Sequence, residues 1–333
     1  MSNIKRSVSM YSLQDQYARG KMKLEDIFKL LVELGADMEF ISDQMMKGTP
    51  EPKDEELKKW DALREKYPVK PVCNDIFINT NLFRNRTLTK RESTDALIKE
   101  LKLAHRLGFP LVRLVSKTPS EIIEPALHVA EELNVKMALE IHAGMSFDNP
   151  FTKEFLDVMF RLNSEHVGLV IDTGIFCRRH PRVSTEYFRN LGANDEVIKY
   201  IDDVFASGTC TKKLFGDKLE FPEELKKLFK NPIDGEYSFF STGYETEEFS
   251  VLDQYMPYIK HFHGKIYEMT DEGVEYSIPF NELVKYLDSK NYDGYISTEY
   301  EGNRFTLPGE QMKEIENVKA HQAMLKKYIE ELR

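Results

Sequence analysis

The stretch VKMALEIHAGMSF, residues 135–147, decides the fold. Met137, Ala138 and Leu139 form the unbroken apolar run of a strand buried on both faces. Glu140 and His142 follow two residues apart, and on a strand residues i and i+2 point to one face. An acid and an imidazole therefore stand side by side where the apolar run ends. The same ending recurs in three later segments. VGLVID (167–172) closes on Asp172 and runs into Thr173-Gly174, IKHFH (259–263) closes on His261 and His263, and GYISTE (294–299) closes on Glu299, with Glu301 just beyond.

Four further strands are expected upstream, over Arg6–Tyr11, Met38–Ile41, Pro71–Phe77 and Leu111–Val115. Segments with helical spacing separate them. These are Leu24–Leu34, closed by Gly35 as a C-cap; Asp54–Lys66; Thr94–Leu107, capped by Ser93 or Thr94; Glu121–Leu133, capped by Ser120; and Phe151–Leu162. Phe280–Ser289 and Gln311–Leu332 complete the alternation. Eight strands alternating with helices predict an α/β fold, a single (β/α)8 TIM barrel spanning 1–333. Residues 177–257 interrupt the rhythm with short helices and loops. They are too long for a simple connection and are expected to form a helical insertion between strands 6 and 7, serving as a lid or a partner-docking segment. A doubly wound sheet would alternate in the same way. It usually carries a glycine-rich phosphate loop after its first strand, and neither GxGxxG nor GxxxxGK[ST] occurs here.

Composition narrows the functional classes. Asp and Glu number 56 against 46 Lys and Arg, a formal charge of −10, which disfavours a phosphate-backbone partner, so no nucleic acid is expected. The opening MSNIKRSVSMYSLQDQ lacks the apolar core of a secretory signal, and no run approaches the roughly 18 apolar residues of a membrane span. Cys73, Cys177 and Cys210 are too few and too scattered for a disulfide framework or a CxxC zinc site. The expectation is a cytoplasmic protein with reduced thiols and no membrane association, in which the Asn85-Arg86-Thr87 sequon carries no meaning.

In a barrel the strand ends converge on the C-terminal face, where active sites of this fold lie. Glu140, Asp172 and Glu299 would then crowd three negative charges into one mouth, which costs stability unless a cation neutralises them. Three carboxylates with one imidazole suit a divalent metal, Mn²⁺ best, with Mg²⁺, Co²⁺, Fe²⁺ or Zn²⁺ also compatible. Taken singly, an acid at a strand end is usually solvated in a loop, and a lone buried histidine is usually a hydrogen-bonded core residue. Four successive strands ending this way shift the balance. The other histidines carry less weight: His105 and His128 are expected within helices on or near the surface, His166 precedes a strand and His321 lies in the last helix. His180, in CRRHPR (177–182), either meets an anionic substrate group or lies in a solvated loop, the ordinary expectation.

With the endings LEIH, VIDTG, HFHGK and STEYEG in hand, the chain resembles the xylose-isomerase-like barrel superfamily of sugar isomerases and sugar-phosphate epimerases. The resemblance implies metal ligands at Glu140, Asp172, His263 and Glu299, with His261 in the layer beneath. Ketose 3-epimerases of that superfamily carry a histidine three residues after the metal aspartate and an arginine six after the ligand histidine. Ile175 and Met269 stand at those positions, and the free imidazole is instead His142. MYSLQDQYARGKM, EFISDQM, PVCNDIF, EIHAGMSFDNP and DTGIFCRRHPR are similar to the larger, catalytic alpha subunit of bacterial C-glycoside deglycosidases. Those enzymes cleave the C–C bond between a 3-oxo sugar and an aromatic aglycone such as a flavonoid. The resemblance implies a divalent metal, usually Mn²⁺, and a small β-rich partner subunit.

On that footing His142 is expected as the general base, and Glu140 and Glu299 as metal ligands that also shuttle protons. Asn74, Phe147, Phe176, Lys265 and Glu301 are expected as substrate contacts. Proton abstraction next to a carbonyl would equally serve a metal-dependent sugar or sugar-phosphate isomerase or epimerase, the alternative activity. A non-catalytic metal-binding barrel is a third reading. A metal-dependent DNA-repair nuclease is disfavoured by the charge and by too few histidines for a trinuclear site.

Overall fold

The computed structural model describes residues 2–78, 86–216 and 218–332. Asn85 of the sequon lies outside them. Eight parallel strands close into a barrel in sequence order, β1 pairing with both β2 and β8. They are β1 Lys5–Ser9, β2 Asp37–Ile41, β3 Pro71–Ile76, β4 Leu111–Leu114, β5 Lys136–Ile141, β6 Val167–Asp172, β7 Ile259–Ile266 and β8 Tyr295–Tyr300. Helices α1 Leu24–Leu34, α2 Asp54–Lys66, α3 Lys90–Leu107, α4 Ile123–Leu133 and α5 Pro150–Leu162 connect the first six strands. This is the expected (β/α)8 barrel.

Several boundaries differ from expectation, among them α4, which starts at Ile123 after a 3-10 turn over Ser120–Ile122 and takes no side-chain cap from Ser120; two others have clear local reasons. β1 stops at Ser9 rather than Tyr11, because the Ser9 hydroxyl accepts from the Tyr11 N–H and starts a 3-10 turn over Met10–Leu13. β7 continues three residues past His263, because Gly264, Lys265 and Ile266 pair with Thr298, Glu299 and Tyr300 of β8. A further correction concerns α3, whose cap is Thr89 rather than Ser93 or Thr94. The Thr89 hydroxyl accepts from the Glu92 N–H and the Glu92 carboxylate accepts from the Thr89 N–H, a reciprocal capping box.

The two faces of the barrel wall differ in chemistry. One alternate set of strand residues, including Val8, Met38, Phe40, Val112, Leu139, Ile171, Phe262 and Ile296, is buried in the continuous apolar core with the helices. The other set faces inward and is largely polar: Ser7, Glu39, Asp75, Arg113, Glu140, Asp172, His263, Lys265, Ser297 and Glu299, all buried. A small cluster containing Cys73, Ala138 and Val170 is separate from the main core. The barrel is thus held together from its outside, and its lumen is free to carry charge.

Between β6 and β7 the chain forms α6 Arg182–Asn190, α7 Asp195–Ala206 and α8 Pro232–Phe240, with shorter helical turns. It returns to the end of β6 before entering β7. Thr246 bridges to Phe176, the Cys177 N–H donates to the Glu245 carbonyl at 2.8 Å, and the Glu247 N–H donates to the Ile175 carbonyl at 2.8 Å. His180 is not solvated. It is 3% exposed and packs edge-on against Phe205, Tyr237 and Tyr244, with Nδ1 3.1 Å from the Thr185 hydroxyl. Helices α9 Phe280–Ser289 and α10 Glu314–Glu330 complete the outer ring. Among the described residues no helix is long and apolar enough to cross a membrane.

Candidate active site

The ends of the last four strands meet inside the barrel's C-terminal mouth. Glu140, Asp172, His263 and Glu299 each present one ligand atom, and these atoms lie within 4.8 Å of one another, all four residues buried. Strand register produces this convergence: Asp172 pairs with His263 across β6 and β7, and Lys265 with Glu299 across β7 and β8. His263 Nδ1 is 2.7 Å from Glu140 and 3.3 Å from Glu299. Its Nε2 lies 3.1 Å from Glu39 on β2, whose other oxygen accepts from His261 Nε2 at 2.5 Å. His261 thus lies beneath the cluster, braced on the same carboxylate.

The protein's own cations offset this negative charge. Lys265 Nζ stands 2.9 Å from Asp172, 2.8 Å from Glu299 and 2.9 Å from Glu301. Arg113 on β4 reaches Asp75 at 3.4 Å and Glu140 at 3.7 Å. Burial alone would push the Glu140 carboxyl up, but Arg113 and His263 outweigh it and hold it well below the usual range. Burial acts likewise on Glu299, where Lys265 and His263 prevail and bring it down to about 2. At Asp172 burial wins, lifting it to about 6 against the pull of Lys265. Burial disfavours charge on His263, yet Glu39, Glu299 and Glu140 together raise its basicity well above that of a free imidazole. A buried cluster of three carboxylates that draws in Lys265 and Arg113 is chemically suited to a divalent metal, and this oxygen-rich donor set with one imidazole fits one. The Glu39 carboxylate on the far nitrogen of His263 is placed as the outer partner that would orient this imidazole toward a metal.

A cavity of about 420 Å³ opens over the cluster. Glu140, His142, Asp172, Lys265, Glu299 and Glu301 line it, so these expected site residues are brought together. His142 lies one residue past the end of β5, and its Nδ1 is 2.6 Å from the Ala143 carbonyl. A carbonyl can only accept, so this contact places the proton on Nδ1 and leaves Nε2 as the basic nitrogen. The loop carrying His142 is tied down from the insertion, since the Gly144 N–H donates to Glu245 at 2.8 Å and Lys212 pairs with the same carboxylate.

Three expected substrate contacts, Asn74, Phe147 and Phe176, do not line this cavity. Asn74 belongs to the outward set of β3 and donates to the Ser42 hydroxyl at 3.1 Å, while its neighbour Asp75 faces the lumen. Phe147 stacks on Tyr255, centroids 4.4 Å apart, and borders a separate hollow. Phe176 is fully buried edge-on against Phe249. Glu39, Asp75 and Arg113 are site residues that the sequence pattern does not mark, although Glu39 opens EFISDQM and Asp75 lies in PVCNDIF. A larger hollow, about 740 Å³, opens where the strands begin and is lined by Lys70, Lys136, Lys260 and Lys290, away from the carboxylate cluster.

Residues 28–202 match the family model described as "Xylose isomerase-like TIM barrel". The 3'-dehydrocarminate deglycosidase alpha subunit of Microbacterium sp is 27% identical over 307 residues, covering 89% of this chain and 87% of that one. A C-glycoside deglycosidase alpha subunit of Arthrobacter globiformis is 26% identical over 339 residues, covering 99% of this chain and 94% of that one. Among solved structures, D-psicose 3-epimerase with D-tagatose from Clostridium cellulolyticum H10 superposes with a TM-score of 0.55, covering 98% of this chain and 99% of that one. At 12% identity this likeness bears on the fold alone.

Proposed function

The chain belongs to the xylose isomerase-like TIM barrel family, and from that premise we propose that it is the catalytic subunit of a metal-dependent C-glycoside deglycosidase, a carbon–carbon lyase acting on 3-oxo-C-glycosides. The observation that carries the reading is the buried quartet Glu140, Asp172, His263 and Glu299 beneath a cavity whose wall includes His142. The alpha-subunit names of the relatives support the substrate class and a partner subunit, which we take to be small and β-rich. The quartet would hold the metal, Mn²⁺ best matching its three carboxylates and one imidazole. A divalent cation bound there supplies Lewis acidity that acidifies the C–H next to a sugar carbonyl.

The chain's own groups account for the proton transfers. His142 Nε2 takes the proton from C2, next to the 3-oxo group, while its Nδ1–H stays on the Ala143 carbonyl and keeps the ring oriented. The C2–H electron pair becomes the C1=C2 double bond and the bond from C1 to the aglycone carbon breaks. That carbon takes up a proton, so the products are an unsaturated keto sugar and the free aglycone. Glu301 and Lys265, paired at 2.9 Å on the cavity wall, are the groups assigned to bring the second proton. Glu140 and Glu299 hold charge around the reacting carbons.

The decisive experiment incubates the protein with Mn²⁺ and its partner subunit on 3-oxo-C-glucosides and measures aglycone release by chromatography. Release is expected, and His142→Ala should slow it about 10²–10⁴-fold, the usual worth of a general base. No release across a panel of aglycones, with deuterium entering a free ketose beside its carbonyl, would replace the lyase reading with an isomerase or epimerase.

A further inference from the structure

The cavity wall changes character from floor to rim. The floor is charged, and the rim is aromatic. Phe77, Phe239 and Phe240, three of the chain's exposed large apolar side chains, all line this one cavity. Phe239 is 53% exposed and Phe240 48%, although they end α8 in a segment otherwise anchored to the barrel. Their orientation is fixed from below. Phe240 packs on the buried ring of Phe188 at 5.4 Å, and the two rim rings meet edge to face at 6.3 Å. Phe77, in the same cavity wall, carries the Arg113 guanidinium 5.4 Å from its ring centre.

Adjacent phenylalanines kept in water and braced in place are the mark of a binding surface. A carboxylate floor and an aromatic rim together fit a molecule with one polar end and one flat apolar end. A free sugar has only the first.

We propose that Phe239 and Phe240 form the aglycone subsite, a stacking platform for the planar aromatic group of a C-glycoside whose sugar reaches down to the carboxylate floor. The proposal rests on the lyase reading and names the part of the substrate that the insertion between β6 and β7 recognises. Ring stacking of this kind orients the aglycone by its face and tolerates variation in its hydroxyls, because the contact is to the π surface rather than to a polar group.

The test uses the metal-loaded protein with its partner subunit, and a flavone lacking any sugar as the probe, titrated by calorimetry. Wild type should bind the flavone, and the Phe239→Ala–Phe240→Ala variant should bind it about 10-fold or more weakly. Phe239→Trp–Phe240→Tyr should restore most of that affinity. On a 3-oxo-C-glucoside the alanine variant should show its loss mainly in KM. Its loss in kcat/KM there should exceed, by about 10-fold, its loss in deuterium exchange at C2 of methyl 3-oxo-glucoside, which has no aromatic group. Thermal melting and metal content verify that the variant is folded. Flavone binding absent from wild type, or equal in wild type and the alanine variant, overturns the subsite. So does loss of the partner subunit with flavone affinity intact, which would make the rim a docking surface. Failure of the lyase reading has a different signature: flavone binds through these rings, but no glycoside releases its aglycone.

Discussion

Glu39 is a single acid between Met38 and Phe40, and its carboxylate serves two imidazoles at once, His261 at 2.5 Å and His263 at 3.1 Å. It fixes which nitrogen of His263 faces Glu140 and Glu299. Glu39→Gln should therefore weaken metal binding about 10–100-fold while leaving the quartet itself intact. Asp172→Ala, which deletes a donor, should remove nearly all metal by elemental analysis. If metal affinity is equal in Glu39→Gln and wild type, Glu39 plays no part in orienting the site. Lys265 makes the converse prediction. Without its ammonium, Asp172 loses its ion pair and Glu299 is left with His263 alone, so the metal-free Lys265→Met variant should lose about 3–5 kcal/mol of stability. Added Mn²⁺ should recover much of it, measured as a larger rise in melting temperature than wild type shows. The four strand-end residues were legible in the sequence because each ends an apolar run. Glu39 and Arg113 were not, because one charge inside an apolar strand reads as a residue turned to solvent. In a closed barrel that second face is the lumen.

Among the elements, β7 brings the most chemistry to the centre, placing His261, His263 and Lys265 on one face. Gly264, on the other face, makes this geometry compatible with close packing. A Cβ there would lie 2.9 Å from Ile296 Cγ2, 3.1 Å from His321 Cε1 and 3.2 Å from the Ser297 carbonyl oxygen. Gly264→Ala should cost about 1–3 kcal/mol by urea unfolding, the range for overpacking a tight core. Because it would also displace its neighbours, metal affinity should fall with it. A variant as stable as wild type would mean that β8 yields more readily than the packing implies. The glycine is visible in HFHGK, but its reason is not, since the clash lies with β8 and α10. The start of α3 has a similar lesson. Ser93 and Thr94 are good capping residues by type, yet Thr89 has glutamate three residues on, and that reciprocal pair outweighs proximity to the apolar positions. The ends of α1, α2 and α9 fell where periodicity put them, with Gly35 in the left-handed conformation closing α1.

At the scale of the whole molecule, His180 and His321 sit in the packed layers outside the lumen, fully buried. Burial pushes each imidazole's pKa down from 6.5 to about 3. The unfolded chain takes up these protons below pH 6.5, whereas the folded chain resists until about pH 3. Their contribution to stability is complete above pH 6.5 and is lost as the pH falls through that window, at about 1.4 kcal/mol per pH unit for each histidine. Denaturant melts between pH 7 and 4 should show this decline, and His180→Gln–His321→Gln should flatten it. An unchanged slope would assign the acid sensitivity to the carboxylates instead. The barrel as a whole was legible from eight alternating segments. The division of its wall was not, because periodicity tells the two faces of a strand apart without saying that one of them encloses a charged interior. That division has a further consequence. Cohesion resides in the shell and reactivity in the lumen, so inward side chains can be exchanged without opening voids in the layer that keeps the chain folded. Such a scaffold can change which bond it breaks while remaining the same object, and divergence of activity on it should follow the lumen residues and the rim of the insertion rather than the core.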